Sequence, residues 1–253
     1  MTVSTNLLHN LVVVLVGTQG NLNLGSVARS LGNFGVRELR LAAPEADPAS
    51  DEARRMAVSA RPLLEQARRF DELRQAVADC HLVIGTSRRT GKYRVDPLEP
   101  SDAAELLFPQ LAHGRVALVF GREDHGLSAS EVELCQRVLE IPTDDAVPSM
   151  NLAQAVSICL YECYKLAQKN AAGFGGDRRE LATGDELEAM FQHMRRTLLD
   201  IEFLDPQNPD HILRALRSIL GRAALDPREV RILQGLLSRV DWVEGERQRS
   251  QGG

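Results

Sequence analysis

Lysine is nearly missing from this 253-residue chain. Lys92, Lys165 and Lys169 stand alone among 30 basic residues, so the positive charge is almost entirely arginine. Arginine's planar fork grips phosphate better than a point ammonium does, but high-GC codon usage gives the same bias, and both explanations stay open. Long apolar runs are missing too. None approaches the roughly 20 residues of a membrane helix, so no membrane partner is expected. Met1–Asn10 lacks a basic n-region and a cleavage signature, so no secretory signal is expected. Cys80, Cys135, Cys159 and Cys163 form no CxxC pair and have no histidine at zinc spacing. They read as reduced thiols of a cytoplasmic protein with no metal site. The net charge of −5 also lacks the basic excess usual in nucleic-acid-binding domains. No internal repeat or low-complexity tract occurs.

What is present is 43% apolar residues, enough for a large core. Leu11–Val16, Glu38–Ala43, His81–Gly85, Val116–Phe120 and Val138–Ile141 are continuous apolar runs of the kind found in strands covered on both faces. Between them, Ser26–Phe34, Phe70–Asp79 and Ser101–Leu111 read as helices. The alternation predicts an α/β fold with a largely parallel sheet. A long helix over Asn151–Lys169 puts Leu152, Ala155, Val156, Cys159, Cys163 and Leu166 on one face. A glycine-rich break, Ala171–Asp177, follows it. Beyond the break, three stripes predict a small helical C-terminal domain docked on the first part or on a partner subunit. They are Leu187, Met190, Phe191, Met194, Leu198 and Ile201; Ile212, Leu213, Leu216, Ile219 and Leu220; and Val230, Leu233, Leu236, Leu237 and Val240. The expected division is 1–170, a linker over 171–182, and 183–253.

Ligands of α/β sheets collect outside the carboxyl ends of strands, which singles out three loops. The first, GTQGNLNLGSVARSLGNFG, has the GxxxxG spacing of a phosphate loop but Ser26 and Val27 where lysine and a hydroxyl residue belong, which excludes an NTPase. GxGxxG is absent, and no acid ends the second strand to hold a ribose, so a nicotinamide enzyme fits poorly. Asn23, Gly25, Ser26 and Arg29 remain, opening a helix. Gly25 would let backbone approach a ligand, and free amides there would favour an anion; an N-capped helix with a solvated arginine is the plain alternative. The second loop, GREDHGLSASEVE, sets Glu123 between Gly121 and Gly126, where it either holds a ligand or caps a turn, and opens the next helix in capping-box form. His125 has no nucleophile to serve. The third, PTDDAVPSMN, places Ser149 and Asn151 at a helix start, where they are ordinary caps.

Taken together, NLGSVARSLGNFG, LVFGREDHGLS and IPTDDAVPSMNLAQAVSICLYE resemble the three motifs of the SPOUT-class (TrmH/TrmJ-like) RNA 2′-O-methyltransferases, in the right order and each at a strand end. The resemblance spans roughly Leu11 to Lys169. HILRALRSIL and VRILQGLLSRV look like the C-terminal extension of the TrmJ type, which methylates a cytidine or uridine ribose in the tRNA anticodon loop.

The resemblance implies a C-terminal trefoil knot, S-adenosyl-L-methionine as cofactor, a homodimer, tRNA as partner, and no DNA. It implies a cofactor pocket of Thr86, Ser87, Arg88, Gly121, Ile141, Pro148, Ser149 and Met150. Leucine is commoner in the family where Met150 stands, a nearly volume-conserving swap. Arg29, Asn23 and Ser149 would be the catalytic set. Arg29 would orient a phosphate and favour a developing alkoxide, with Asn23 and Ser149 positioning the ribose or Arg29. Glu123 and Asn151 would support the site.

Thr86–Arg94 carries Arg88, Arg89, Lys92 and Arg94 with Tyr93 for stacking, as single-stranded RNA would require, or is a solvated loop. A second cluster, Arg214, Arg217, Arg222, Arg228 and Arg231, would grip an RNA backbone or pair across a dimer, with Arg214 exposed. The rivals are a ribosomal RNA methyltransferase of the same class and a noncatalytic RNA-binding protein with a degenerate site. Asn23, Gly25, Arg29, Glu123, Ser149 and Asn151 are all in place, which argues against decay.

Overall fold

A computed structural model describes residues 7–87, 97–170 and 181–251. Six strands form one parallel sheet: β1 (Leu11–Val16), β2 (Glu38–Ala42), β3 (Arg68–Phe70), β4 (Cys80–Thr86), β5 (Arg115–Phe120) and β6 (Arg137–Leu139), in the order β3-β2-β1-β5-β4-β6. The central strand LVVVLV is buried throughout. Its β-branched residues suit the pleat, and its period of two feeds two cores. Leu11, Val13 and Leu15 join the cluster on one face, whereas Val12, Val14 and Val16 join the other.

The helices are α1 (Asn21–Asn33), α2 (Asp51–Ala57), α3 (Arg61–Glu65), α4 (Leu73–Val77), α5 (Pro100–Gln110), α6 (Ala129–Glu133), α7 (Leu152–Lys169), α8 (Gly184–Asp200), α9 (Asp210–Ala223) and α10 (Pro227–Gln251). Those of the larger core are α1, α2, α3, α5 and α7, and α7 buries Val156, Cys159, Leu160 and Cys163. Burial pushes the Cys159 thiol up to about 12, so it stays protonated and inert. All four cysteines are free, and the described residues hold no cluster of metal-ligating side chains.

Several expectations are corrected. The helix expected over Ser26–Phe34 begins five residues earlier, at Asn21. The expected Phe70–Asp79 helix shrinks to Leu73–Val77, because Phe70 belongs to β3, which pairs with β2 through Arg40↔Arg68 and Ala42↔Phe70. A three-residue edge strand reading RRF shows no apolar run. The strand expected over Val138–Ile141 is Arg137–Leu139, and Glu140 continues it by donating its N–H to the Leu98 carbonyl at 2.9 Å. Within β2, Arg40 is 1% exposed and is neutralised by Glu38 and Asp79, which ties β2 to the end of α4.

The last three helices share a third apolar cluster around Met190, Phe191, Leu213, Val230 and Leu237. Ile219 and Leu236, expected in its stripes, are instead 52% and 60% exposed. These helices dock on the sheet. The Asp185 N–H donates to the Ala78 carbonyl, and His81 Nδ1 lies 2.6 Å from the Leu181 carbonyl oxygen. No helix among the described residues is long and apolar enough to cross a membrane.

Candidate active site

Two cavities adjoin, one outside the carboxyl ends of β4, β5 and β6 and the other between α1 and α7. The first, about 450 Å³, is walled by Thr86 and Ser87 at the end of β4, by Gly121–Leu127 after β5, and by Ile141 and Pro148–Met150 after β6. Phe120, Leu139, Leu152 and Ala155 give it an apolar floor. It brings together Thr86, Ser87, Gly121, Ile141, Pro148, Ser149 and Met150. Arg88, Arg89, Lys92, Tyr93 and Arg94 lie outside the described residues.

The walls are built by local hydrogen bonding. Thr86 Oγ1 donates to the Val119 carbonyl at 3.1 Å, and Thr143 Oγ1 closes the third loop on the Pro148 carbonyl. Arg122 and Gly126 exchange backbone hydrogen bonds, folding the second loop back on the strand end. A Cβ at Gly121 would sit 2.2 Å from the Leu127 nitrogen, so only glycine permits that fold. Arg122, which the sequence reading passed over, makes a bidentate pair with Glu131 at 2.9 and 3.0 Å. Glu131 in turn completes the expected capping box with Ser128.

The second cavity, about 750 Å³, is lined by Asn23, Ser26, Arg29, Asn151 and Gln154, and shares Met150 with the first. Arg29 is exposed on α1 and has no hydrogen-bond or ion-pair partner among the described residues. Ser149 lines the first cavity and Arg29 the second, so the structure does not bring those two to one wall.

A chain of hydrogen bonds joins the three loops. Glu123 accepts from the Gln19 and Gly20 N–H groups, both at 3.1 Å, and from Asn23 Nδ2 at 3.0 Å. Asn23 Oδ1 accepts from Asn151 Nδ2 at 2.9 Å, and Asn151 Oδ1 caps α7 by accepting from the Ala153 and Gln154 N–H groups. Burial opposes ionisation of Glu123, but the bonds from Asn23, Gly20 and Gln19 prevail and hold its pKa below the ordinary value. Both of its oxygens are occupied, and it sits as an anion at the start of α1, where the helix dipole favours it. This long-range partner explains why α1 starts earlier than its own sequence suggests.

Gly25 is corrected as well. It is not at the helix start, and it faces α2 rather than a ligand: a Cβ there would lie 2.3 Å from the Ala53 carbonyl oxygen. Arg214 is not fully exposed as expected. It is half-buried and pairs with Glu133 at 3.5 Å, while Arg217 forks onto Glu188 and stacks on Phe191.

The family model described as SpoU rRNA Methylase matches residues 10–161, which contain every wall of both cavities. The chain belongs to the SpoU methylase family. A second family model, described as the C-terminal domain of tRNA methyltransferase TrmJ, matches residues 185–252 of this SpoU methylase. Its relatives include the tRNA (cytidine/uridine/adenosine-2′-O-)-methyltransferase TrmJ of Pseudomonas aeruginosa, 39% identical over 94% of this chain and 96% of the relative. The crystal structure of TrmJ from Z. mobilis is similar with a TM-score of 0.78 at 33% identity, covering 91% of this chain and 98% of that one. A probable methylase family protein of Haemophilus influenzae superposes with a TM-score of 0.62 at 30% identity, over 97% and 100% of the two chains.

Proposed function

We propose that this SpoU methylase transfers a methyl group from S-adenosyl-L-methionine to a ribose 2′-oxygen of tRNA, on cytidine or uridine of the anticodon loop. The observation that carries this reading is the pair of adjoining cavities. One is walled by loop backbone at the strand ends, and the other presents an arginine with no carboxylate partner among the described residues. The TrmJ relatives and the match over residues 185–252 favour tRNA over ribosomal RNA.

The residues present fit the cofactor. A cavity of about 450 Å³ falls in the range of ligand sites. Among the described residues its charged wall is mostly acidic, with Glu123, Asp124 and Glu140, and the one arginine there, Arg122, is already paired with Glu131. That wall suits a sulfonium and disfavours a phosphorylated ligand. Thr86, Ser87, Gly121, Ile141, Pro148, Ser149 and Met150 would hold the bound molecule, largely through backbone groups, with Arg88 beside them.

When bound, the cofactor supplies an activated methyl group. The protein's task is then to hold the ribose oxygen in line and favour loss of its proton. A guanidinium is a donor and not a general base, so Arg29 orients the neighbouring phosphate and stabilises the developing alkoxide. The proton passes to that phosphate or to water. Asn23 is fixed by Glu123 on one side and Asn151 on the other, and it positions the ribose or Arg29. Ser149 acts from the cofactor side. Arg88, Arg89, Lys92, Tyr93 and Arg94 contact the RNA loop.

The same reading divides the chain into a methyltransferase part (1–170), a linker (171–182) and a helical extension (183–253), in a cytoplasmic homodimer. Exposed Leu22, Met56 and Tyr161 on the α1/α2/α7 side support pairing with a second copy. The same reading includes a C-terminal trefoil knot in the methyltransferase part.

The test is incubation with labelled cofactor and unmodified tRNA or ribosomal RNA, with mass-spectrometric mapping of the product. A 2′-O-methyl in the tRNA anticodon loop is expected. Methylation of ribosomal RNA alone would overturn the substrate, and transfer to a base instead of a ribose would overturn the reaction.

A further inference from the structure

The loop over 121–127 walls the first cavity, and two neighbouring side chains in it reach apart. Glu123 reaches Asn23 on α1, whereas Arg122 reaches Glu131 on α6. From this arrangement we infer that Arg122 is a positioning residue for methyl transfer: its fork onto Glu131 fixes the loop that both walls the cofactor cavity and holds Asn23 through Glu123. The inference deepens the functional reading above and rests on it.

Arg122 is held along its whole length. Its Nη1 and Nη2 donate to the two Glu131 oxygens at 2.9 and 3.0 Å, a planar geometry that lysine does not reproduce. Glu131 is itself anchored in the first turn of α6. It accepts from the Ser128 N–H at 2.7 Å, and its own N–H donates to Ser128 Oγ. Burial opposes ionisation of Glu131, but the bonds from Arg122 and Ser128 prevail and hold its pKa below the ordinary value, so the pair is charged at neutral pH. Nearer the backbone, Arg122 crosses Gly17, the residue directly after β1. A Cβ at Gly17 would stand 2.5 Å from Arg122 Nε and 2.8 Å from its Cγ. One side chain thus keys the loop after β5 to the end of β1 and the start of α6.

The loop passes that hold onward. The Arg122 and Gly126 backbones exchange hydrogen bonds at 3.2 and 3.0 Å, which ties the turn between them into a unit. Glu123 is the next residue, and its oxygens accept from the Gln19 and Gly20 N–H groups and from Asn23 Nδ2. Releasing Arg122 therefore loosens two things together, the cofactor wall and the opening turn of α1, the helix that carries Arg29. With both terminal nitrogens engaged by Glu131, Arg122 acts through the loop and not by touching RNA.

The test measures cofactor affinity by calorimetry, steady-state methyl transfer to unmodified tRNA, and thermal melting, for wild type, Arg122→Gln and Arg122→Lys. Arg122→Gln is expected to weaken cofactor binding roughly tenfold, through loss of a preorganised wall. It is also expected to lower kcat at saturating cofactor roughly 10- to 100-fold, with KM for tRNA unchanged. Arg122→Lys keeps the charge but not the fork, and is expected to fall between Arg122→Gln and wild type. A merely structural role predicts a lower Tm in Arg122→Gln with cofactor affinity and kcat unchanged below that Tm, and this result overturns the inference. A raised KM for tRNA at unchanged kcat would make Arg122 an RNA contact and overturn it too. If Arg122→Gln does not fold, Arg122→Lys decides: wild-type cofactor affinity and kcat in that variant overturn the inference. Wild-type protein that binds the cofactor but transfers no methyl to RNA would sink the functional reading. A tenfold loss of cofactor affinity in Arg122→Gln would then still uphold the hold of Arg122 on the cofactor wall, and unchanged affinity would overturn it.

Discussion

The side-chain amide of Asn151 donates a 2.9 Å hydrogen bond to the amide oxygen of Asn23, joining the cap of α7 to the first turn of α1 across 128 residues of sequence. Because Asn23 spends its own N–H on Glu123, the orientation of both amides is set. Asn151→Asp keeps the oxygen that caps α7 but cannot donate to Asn23. If Asn23 flips to serve it, an amide oxygen faces the Glu123 carboxylate. The variant is expected to melt within a few degrees of wild type while methyl transfer falls roughly 10- to 100-fold. Full turnover would show that the chain of bonds is not needed.

The central strands and the third-loop cap were legible because their signals are local. LVVVLV is apolar in every position, and Asn151 sits directly before a strong amphipathic face. The start of α1 was not legible, since the carboxylate beside it, Glu123, comes from about 100 residues downstream. The same distance hid the link from Glu123 to Asn23, and the arginine-rich edge strand Arg68–Phe70 carries no apolar pattern at all. Gly25 was legible as a close approach but not as an approach to α2, because spacing alone cannot say what comes near.

Gly25→Ala tests that assignment. The new methyl would meet the Ala53 carbonyl oxygen, a backbone atom that cannot swing aside. Overpacking of roughly 1–3 kcal/mol should outweigh the helix-propensity gain of up to about 1 kcal/mol. A thermal melt is expected to show a lower Tm; a raised one would mean that α1 and α2 part easily.

Glu188 couples the C-terminal helices to acidity. Burial opposes its ionisation, but hydrogen bonds from Arg217, Gln192 and Arg74 lower its pKa from 4.5 to about 2. Its folded pKa is depressed, so the stabilisation is present above about pH 4.5 and is lost as pH falls toward 2. The shift corresponds to about 3 kcal/mol at neutral pH. Denaturant unfolding of wild type and Glu188→Gln should therefore differ most at pH 7 and converge by pH 2. A gap that is constant across that range would mean that the carboxylate's charge contributes nothing.

The most direct test compares wild type with Arg29→Ala in a single assay of methyl transfer to unmodified tRNA, alongside cofactor titration by calorimetry. Arg29 has no structural partner among the described residues and lines the cavity next to the cofactor walls. The account predicts a 2′-O-methyl in the anticodon loop with wild type, its loss with Arg29→Ala, and the same cofactor affinity in both. Undiminished transfer by Arg29→Ala would contradict it.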